Sequence, residues 1–179
     1  AATRRFVELQ PPRHAPPVNC DGFWNLKPDP KTRTLLSSCR SGPVWYTDAY
    51  RFDDQGRVYV SQATSPILND AAQALFDPTD GAGPVSLALS YDPRGKIIAR
   101  SVLAYGDDPQ AAAGHVAVER LPLHEQPRQG PTRRYLVKGD AFQALDISDD
   151  QDWLKVAYRN AAKGRIEGWI KLGDATPAP

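Results

Sequence analysis

Tyr50-Arg51-Phe52-Asp53-Asp54-Gln55-Gly56-Arg57-Val58-Tyr59-Val60-Ser61 places an alternating run on each side of an Asp-Asp-Gln-Gly turn. That is the pattern of two half-buried strands joined as a β-hairpin. Working outward, the device recurs twice. Trp24 to Ser37 flank Pro28-Asp29-Pro30-Lys31, and Leu87 to Ser101 flank Asp92-Pro93-Arg94-Gly95. Successive hairpins predict a mostly β fold. Between the second and third, Asn69-Asp70-Ala71-Ala72-Gln73-Ala74-Leu75-Phe76 combines good helix formers with an Asn/Asp cap and stops before Asp77-Pro78, which predicts one short helix. Gly81, Gly83 and Pro84 then form a loop, and a second helical turn is expected from Asp107 to Ala113. His115 to Leu121 alternates like a strand.

The flanks set the domain plan. Residues 1–19 carry Pro11, Pro12, Pro16 and Pro17 and read as an extended arm, with at most a short strand at Arg5 to Leu9. The polar, Pro- and Gly-containing stretch at 125–130 reads as a linker. The expected division is therefore a β-rich domain at 20–124, the linker, a second domain at 131–174 and a tail at 175–179.

Charge narrows the function classes. Lys plus Arg number 22 against 21 Asp plus Glu, and residues 1–126 carry 13 basic and 14 acidic side chains, so no basic stripe supports nucleic-acid binding. No apolar run approaches the roughly 20 residues that cross a bilayer. The chain holds no Met and begins Ala1-Ala2-Thr3, the small-residue type that follows a signal-peptidase cut, which suggests an exported mature form and leaves a lipoprotein anchor open. Cys20 and Cys39 are the only cysteines. A hairpin register that sets Trp24 opposite Leu35 sets Cys20 opposite Cys39, so we expect a cross-strand disulfide worth about 3 kcal/mol in an oxidising compartment. Two reduced, buried thiols in a cytosolic protein are the alternative.

Residues 133–174 run Arg133-Arg134-Tyr135-Leu136-Val137-Lys138-Gly139-Asp140 into a strand, an acidic tip at Asp149-Asp150, Trp153-Leu154-Lys155-Val156-Ala157-Tyr158, a turn at Lys163-Gly164, and Gly168-Trp169-Ile170. This order resembles a bacterial SH3 domain. The resemblance implies a small barrel, with Val137, Phe142, Leu145, Leu154, Val156, Ile166 and Ile170 as its apolar set. It also implies a shallow peptide-binding groove, often for peptidoglycan peptides, lined by Tyr135, Trp153, Tyr158 and Trp169. Each of these aromatics has a packing role as its alternative.

Asp29 to Gly42, followed by Trp45-Tyr46-Thr47-Asp48-Ala49-Tyr50-Arg51-Phe52 and Gly56 to Val60, resembles more weakly the last repeat of FG-GAP-like periplasmic proteins, some of which are immunity proteins against peptidoglycan-cleaving effectors. The calcium-like Asp-x-Asn-x-Asp-Gly repeats of that family are absent, so no metal site is carried over. Taken by itself, the run is dense in aromatics. Alternation puts Tyr46, Tyr50 and Phe52 on one face and Trp45 on the other, so that either one face is core and the other a recognition surface, or all of them pack a small sheet.

Catalytic signatures are missing from the sequence. It has no Gly-x-Ser-x-Gly elbow, His-Glu-x-x-His, phosphate loop or GxGxxG, and His14, His115 and His124 lack ligand spacing. Ser38-Cys39-Arg40 lacks the Gly and His that precede an L,D-transpeptidase nucleophile. Paired acids such as Asp53-Asp54, Asp107-Asp108 and Asp149-Asp150 fall at turns. The expectation is a periplasmic protein with no catalytic site, cofactor or metal. It would act as an immunity protein that blocks a secreted effector, a peptidoglycan hydrolase or a lipase, through Trp45, Tyr46, Tyr50 and the aromatics of the C-terminal module. The runner-up is a module that tethers to peptidoglycan stem peptides, and a structural subunit of an envelope machine is a third reading.

Overall fold

The computed structural model describes residues 18–42, 44–76, 85–104 and 111–175. The arm up to residue 17, the loop with Gly81, Gly83 and Pro84, the opening of the turn expected from Asp107, and residues 176–179 lie outside the described residues. Among those described, the order is β1 (Lys27–Asp29), β2 (Thr34–Ser41), β3 (Val44–Phe52), β4 (Val58–Pro66), α1 (Asp70–Leu75), β5 (Val85–Tyr91), β6 (Ile97–Ala104), β7 (Ala113–His115), β8 (Arg120–Pro122), β9 (Tyr135–Val137), β10 (Ala141–Ile147), β11 (Trp153–Asn160) and β12 (Gly164–Lys171), followed by a 3-10 turn at Leu172–Asp174. The fold is mostly β, as expected, and its recorded strand pairings are antiparallel.

Turn chemistry explains the hairpins. In the β3–β4 turn, Asp53 Oδ1 accepts from the Gln55 and Arg57 amides at 2.9 Å each, and in the β5–β6 turn Asp92 Oδ1 accepts from Arg94 and Lys96 in the same way. Gly56 (φ 75°) and Gly95 (φ 80°) occupy the left-handed position that each turn needs. The short helix also forms where the sequence places it, with Asn69 as its cap accepting from the Ala72 amide.

The first hairpin differs from expectation. Its strand is Lys27–Asp29 rather than 23–26, and Lys27 lies opposite Leu36, so Trp24 does not face Leu35. Asn25, in the left-handed region at φ 46°, interrupts the run before β1. The strand expected from His115 to Leu121 is likewise two short ones. Between them Val116 is buried, its amide donating to Asp140 O and its carbonyl accepting from Gly139. Ala113, expected to end a helical turn, begins β7.

The chain divides into two compact units, Ala1–Ser65 with Leu89–Ala99, and Pro66–Ala88 with Arg100–Pro179. In the first, β1 to β4 lie side by side in chain order, and Tyr50, Val58, Val60, Ala63 and Tyr91 form the core with Leu35 and Leu89 against it. In the second, the sheet order is β12-β11-β10-β7 beside a β8–β9 pair. Its core joins Ile67, Leu75 and Phe76, from and around α1, to Leu121, Leu123, Leu136, Leu154 and Ile170.

Residues 125–130 therefore lie within the second unit and do not separate domains. Leu121 pairs with Leu136 across that loop, and β7 pairs with β10. The apolar set expected for the barrel also shifts. A bulge between Ala144 and Asp146 leaves Leu145 half-buried and puts Ala144 and Ile147 into the core, and on β9 it is Leu136 that is buried while Val137 is 45% exposed.

Gly168 sits where the second unit is tightest. His124 and Trp169 exchange two backbone hydrogen bonds of 2.8 Å, and a Cβ on Gly168 would lie 2.7 Å from Leu123 Cγ and 2.8 Å from His124 O. Gly168→Ala should cost about 1–3 kcal/mol by overpacking. The measurement is the urea midpoint; an unchanged midpoint would mean that segment 121–124 is not held against β12.

Candidate binding site

Residues 18–26 form an irregular strap attached to the β2–β3 pair at four places. The Cys20–Cys39 disulfide is formed, with Cα atoms 5.8 Å apart. It joins the strap to β2 rather than two paired strands, which corrects the register but retains the expected bond. The buried Asp48 carboxylate on β3 accepts from the Asn19 amide at 3.1 Å, from Asn19 Nδ2 at 3.0 Å and from the Cys20 amide at 3.1 Å. Ser37 Oγ accepts from the Trp24 amide at 2.9 Å, and the Ser38 amide donates to Trp24 O at 2.9 Å. Phe23 packs its ring 4.9 Å from that of Tyr50.

Burial raises the pKa of Asp48 above the usual carboxylate range, against the opposing pull of the hydrogen bonds from Cys20 and Asn19. Burial, and then the neighbouring Asp48 charge, pushes the Tyr50 phenol up to about 12. These groups fix the strap.

Between the strap and the end of the β2–β3 ladder lies a groove of about 520 Å³, lined in part by Trp24, Asn25, Arg40, Trp45, Tyr46 and the disulfide. Trp24 is 55% exposed and Trp45 45%, and the Arg40 guanidinium stands 6.0 Å from the centre of the Trp45 ring. Trp24 Nε1 donates to Asp21 Oδ1 at 3.1 Å, while Asn25 Nδ2 reaches Ser38 O at 2.9 Å. Two indoles, a phenol and a guanidinium around one concavity offer large contact area with few moving torsions.

Of the residues singled out from sequence, Trp45 and Tyr46 line this groove. Tyr50 does not: only 9% exposed, it belongs to the core beneath the strap. Sequence reading missed Trp24 and Arg40. The sequence puts Trp24 in a paired strand, whereas it lies in the strap ahead of β1 with its side chain exposed.

The C-terminal aromatics do not share one groove wall. In the β11–β12 register, Tyr158 aligns with Ile166, and the core residues Leu154 and Val156 align with Ile170 and Gly168. Trp153 and Trp169 alternate onto the other face. Trp153 is buried, its ring edge-on to His124 at 5.1 Å, and Trp169 is half-buried. Tyr158 packs against the core, and Tyr135, 44% exposed on β9, lies under Arg120 with the guanidinium 3.7 Å from its ring centre. Trp153 and Tyr158 are thus occupied by packing, Trp153 against His124 and Tyr158 against the core, on opposite faces of the sheet.

No family model matches this chain, and no curated protein or solved structure matches it significantly. Among the described residues, no group of three or more His, Cys, Asp or Glu is arranged to hold a metal, and no helix is long and apolar enough to cross a membrane.

Two tests follow from the strap. Replacing Cys20 and Cys39 together by Ser should lower stability by about 3 kcal/mol and increase amide exchange across 18–26, while β2–β3 amides stay protected. Equal exchange in the strap would show that the disulfide does not hold it. The Tyr50 phenol keeps its proton more tightly folded than unfolded, so its contribution is fully present below pH 10 and is lost as pH rises towards about 12. Between pH 9 and pH 11 that amounts to about 1 kcal/mol. Tyr50→Phe should flatten this alkaline loss in urea melts.

Proposed function

We propose that this chain is an exported binding protein without a catalytic site, acting in the periplasm as an immunity protein that blocks a secreted antibacterial effector. The carrying observation is the groove with Trp24, Trp45, Tyr46 and Arg40 at its rim, fastened by a disulfide and a buried carboxylate. Trp, Tyr and Arg are the residues in which binding energy concentrates, and a rim held in place before encounter avoids ordering costs on association. The disulfide fits an oxidising compartment. The resemblance of residues 29–60 to periplasmic immunity proteins supplies the partner class, a peptidoglycan-cleaving effector, with a lipase as the other candidate.

Peptidoglycan tethering through the C-terminal module has less support, since Tyr135, Trp153, Tyr158 and Trp169 do not converge. The SH3-like reading of that module rests on the order in its sequence of Lys138-Gly139-Asp140, the acidic tip at Asp149-Asp150, Trp153-Leu154-Lys155-Val156 and Gly168-Trp169-Ile170.

Affinity purification from a periplasmic extract of the native organism, with the disulfide intact, tests the proposal. One stoichiometric hydrolase or lipase whose activity the protein suppresses is the expected result. Retention on purified sacculi with no such enzyme would overturn it in favour of wall tethering. Trp45→Ala and Trp24→Ala should each weaken the complex by about 1–2 kcal/mol or more while leaving the melting temperature unchanged.

A further inference from the structure

The strand register assigns one whole face of the first unit to the outside. Lys27 and Asp29 on β1, Thr34, Leu36, Ser38 and Arg40 on β2, and Trp45, Thr47, Ala49 and Arg51 on β3 alternate onto the face opposite the buried Ser37, Asp48 and Tyr50. Tyr59 and Thr64 of β4 continue it, opposite Arg51 and Thr47. Lys27, Arg40, Trp45 and Arg51 are exposed, and of the residues between them only the small Ala49 is buried. One end of this face contributes Arg40 and Trp45 to the groove already described. The other contributes Arg51 and Tyr59 to a second groove, of about 920 Å³, which Asp29, Asp53, Asp54 and the exposed Phe52 also line.

Charge is unevenly distributed across this unit. Asp48 is buried on the inner face, Asp21 lies in the strap, and Asp53, Asp54 and Asp92 lie at hairpin turns. Asp29 also reaches the outer face, where hydrogen bonds from Thr32 Oγ1 at 2.6 Å and from the Lys31 amide at 3.0 Å favour its charged form, so the face sets Lys27, Arg40 and Arg51 against one carboxylate. Among the described residues no ion pair holds Lys27, Arg40 or Arg51. The face is therefore net cationic, with aromatic rings near both ends.

We infer that this face is the docking surface for an acidic patch on the effector, with the Trp24–Trp45 groove at its edge as the anchor. The inference rests on the immunity reading of that groove and specifies its partner's chemistry. Cations held in no ion pair on a net cationic β face attract a complementary anionic surface and speed encounter with it, and they repel a second copy of the same face.

The probe is the effector recovered and purified with the wild-type chain, titrated at low and at physiological salt. Arg40→Glu with Arg51→Glu should slow association by about tenfold or more and remove most of its salt dependence. Arg94→Glu with Lys96→Glu makes the same charge change at the β5–β6 turn, off this face, and should alter the rate by less than about threefold. Melting curves of both double variants verify folding.

Equal slowing by the two double variants would overturn the inference, because net charge and not this face would then govern encounter. So would an unaltered rate for the Arg40/Arg51 variant, although the immunity reading would survive. Recovery of no effector by the wild-type chain would overturn both. Dimers of the isolated protein that the Arg40/Arg51 variant abolishes would assign the face to a second copy instead. Wild-type binding to phosphatidylglycerol vesicles, lost in that variant, with no rate effect on the effector, would assign it to an anionic membrane.

Discussion

Asp48 is a fully buried carboxylate, and the first unit depends on how its charge is accommodated. Burying an ionised carboxyl is costly unless donors replace the water it loses, and here the donors are the Asn19 and Cys20 amides and Asn19 Nδ2. The strap approaches the sheet because the charge requires those donors, and the charge is tolerated because the strap supplies them. Asn19 extends the arrangement, its Nδ2 reaching Thr64 O and its Oδ1 accepting from Ser65 Oγ. The disulfide lies next to the Cys20 amide, so covalent and electrostatic anchors act on adjacent residues. Phe23 and Trp24 follow within a few residues, which carries the anchoring to the core on one side and to the groove on the other.

Legibility in the sequence followed the range of the interactions. The β3–β4 and β5–β6 hairpins were readable because Asp53 with Gly56, and Asp92 with Gly95, complete their turns within five residues. The helix at Asp70–Leu75 was readable for the same reason, its cap lying next to it. The first hairpin was not. Its register depends on a Pro30–Arg33 turn that puts Arg33 at φ 55°, a conformation few non-glycine residues signal in advance. The expected boundary at 125–130 failed on range as well. A polar loop with Pro and Gly is locally indistinguishable from a linker, and what makes it a loop is pairing between Leu121 and Leu136 on its two sides.

The candidate site was half legible, because composition marks aromatics without saying what covers them. Trp45 and Tyr50 are equally conspicuous in sequence, and alternation does separate their faces. Which face is core depends on the strap, whose path comes from Asp48 and Cys39 some twenty to thirty positions away. The C-terminal aromatics show the same limit. Trp153, Tyr158 and Trp169 share a sequence pattern, yet the β11–β12 register sends Tyr158 to the core face and both tryptophans away from it.

Groups with displaced proton affinities mark functional sites often enough that the pair of Asp48 and Tyr50 calls for a physical account. Desolvation dominates at both, and both displacements run upward. A general base aimed at a substrate needs an oxygen turned towards open space, whereas the Asp48 oxygens are taken by three N–H donors of its own chain. The Tyr50 ring is stacked against Phe23 and sits among Val58, Val60 and Tyr91. Their chemistry is spent on holding the strap. What reaches the surface is shape: two indoles and a guanidinium at a groove rim, beside a net cationic face. Such an arrangement gains affinity from rigidity, because side chains and backbone already in their bound geometry lose little entropy when a partner arrives.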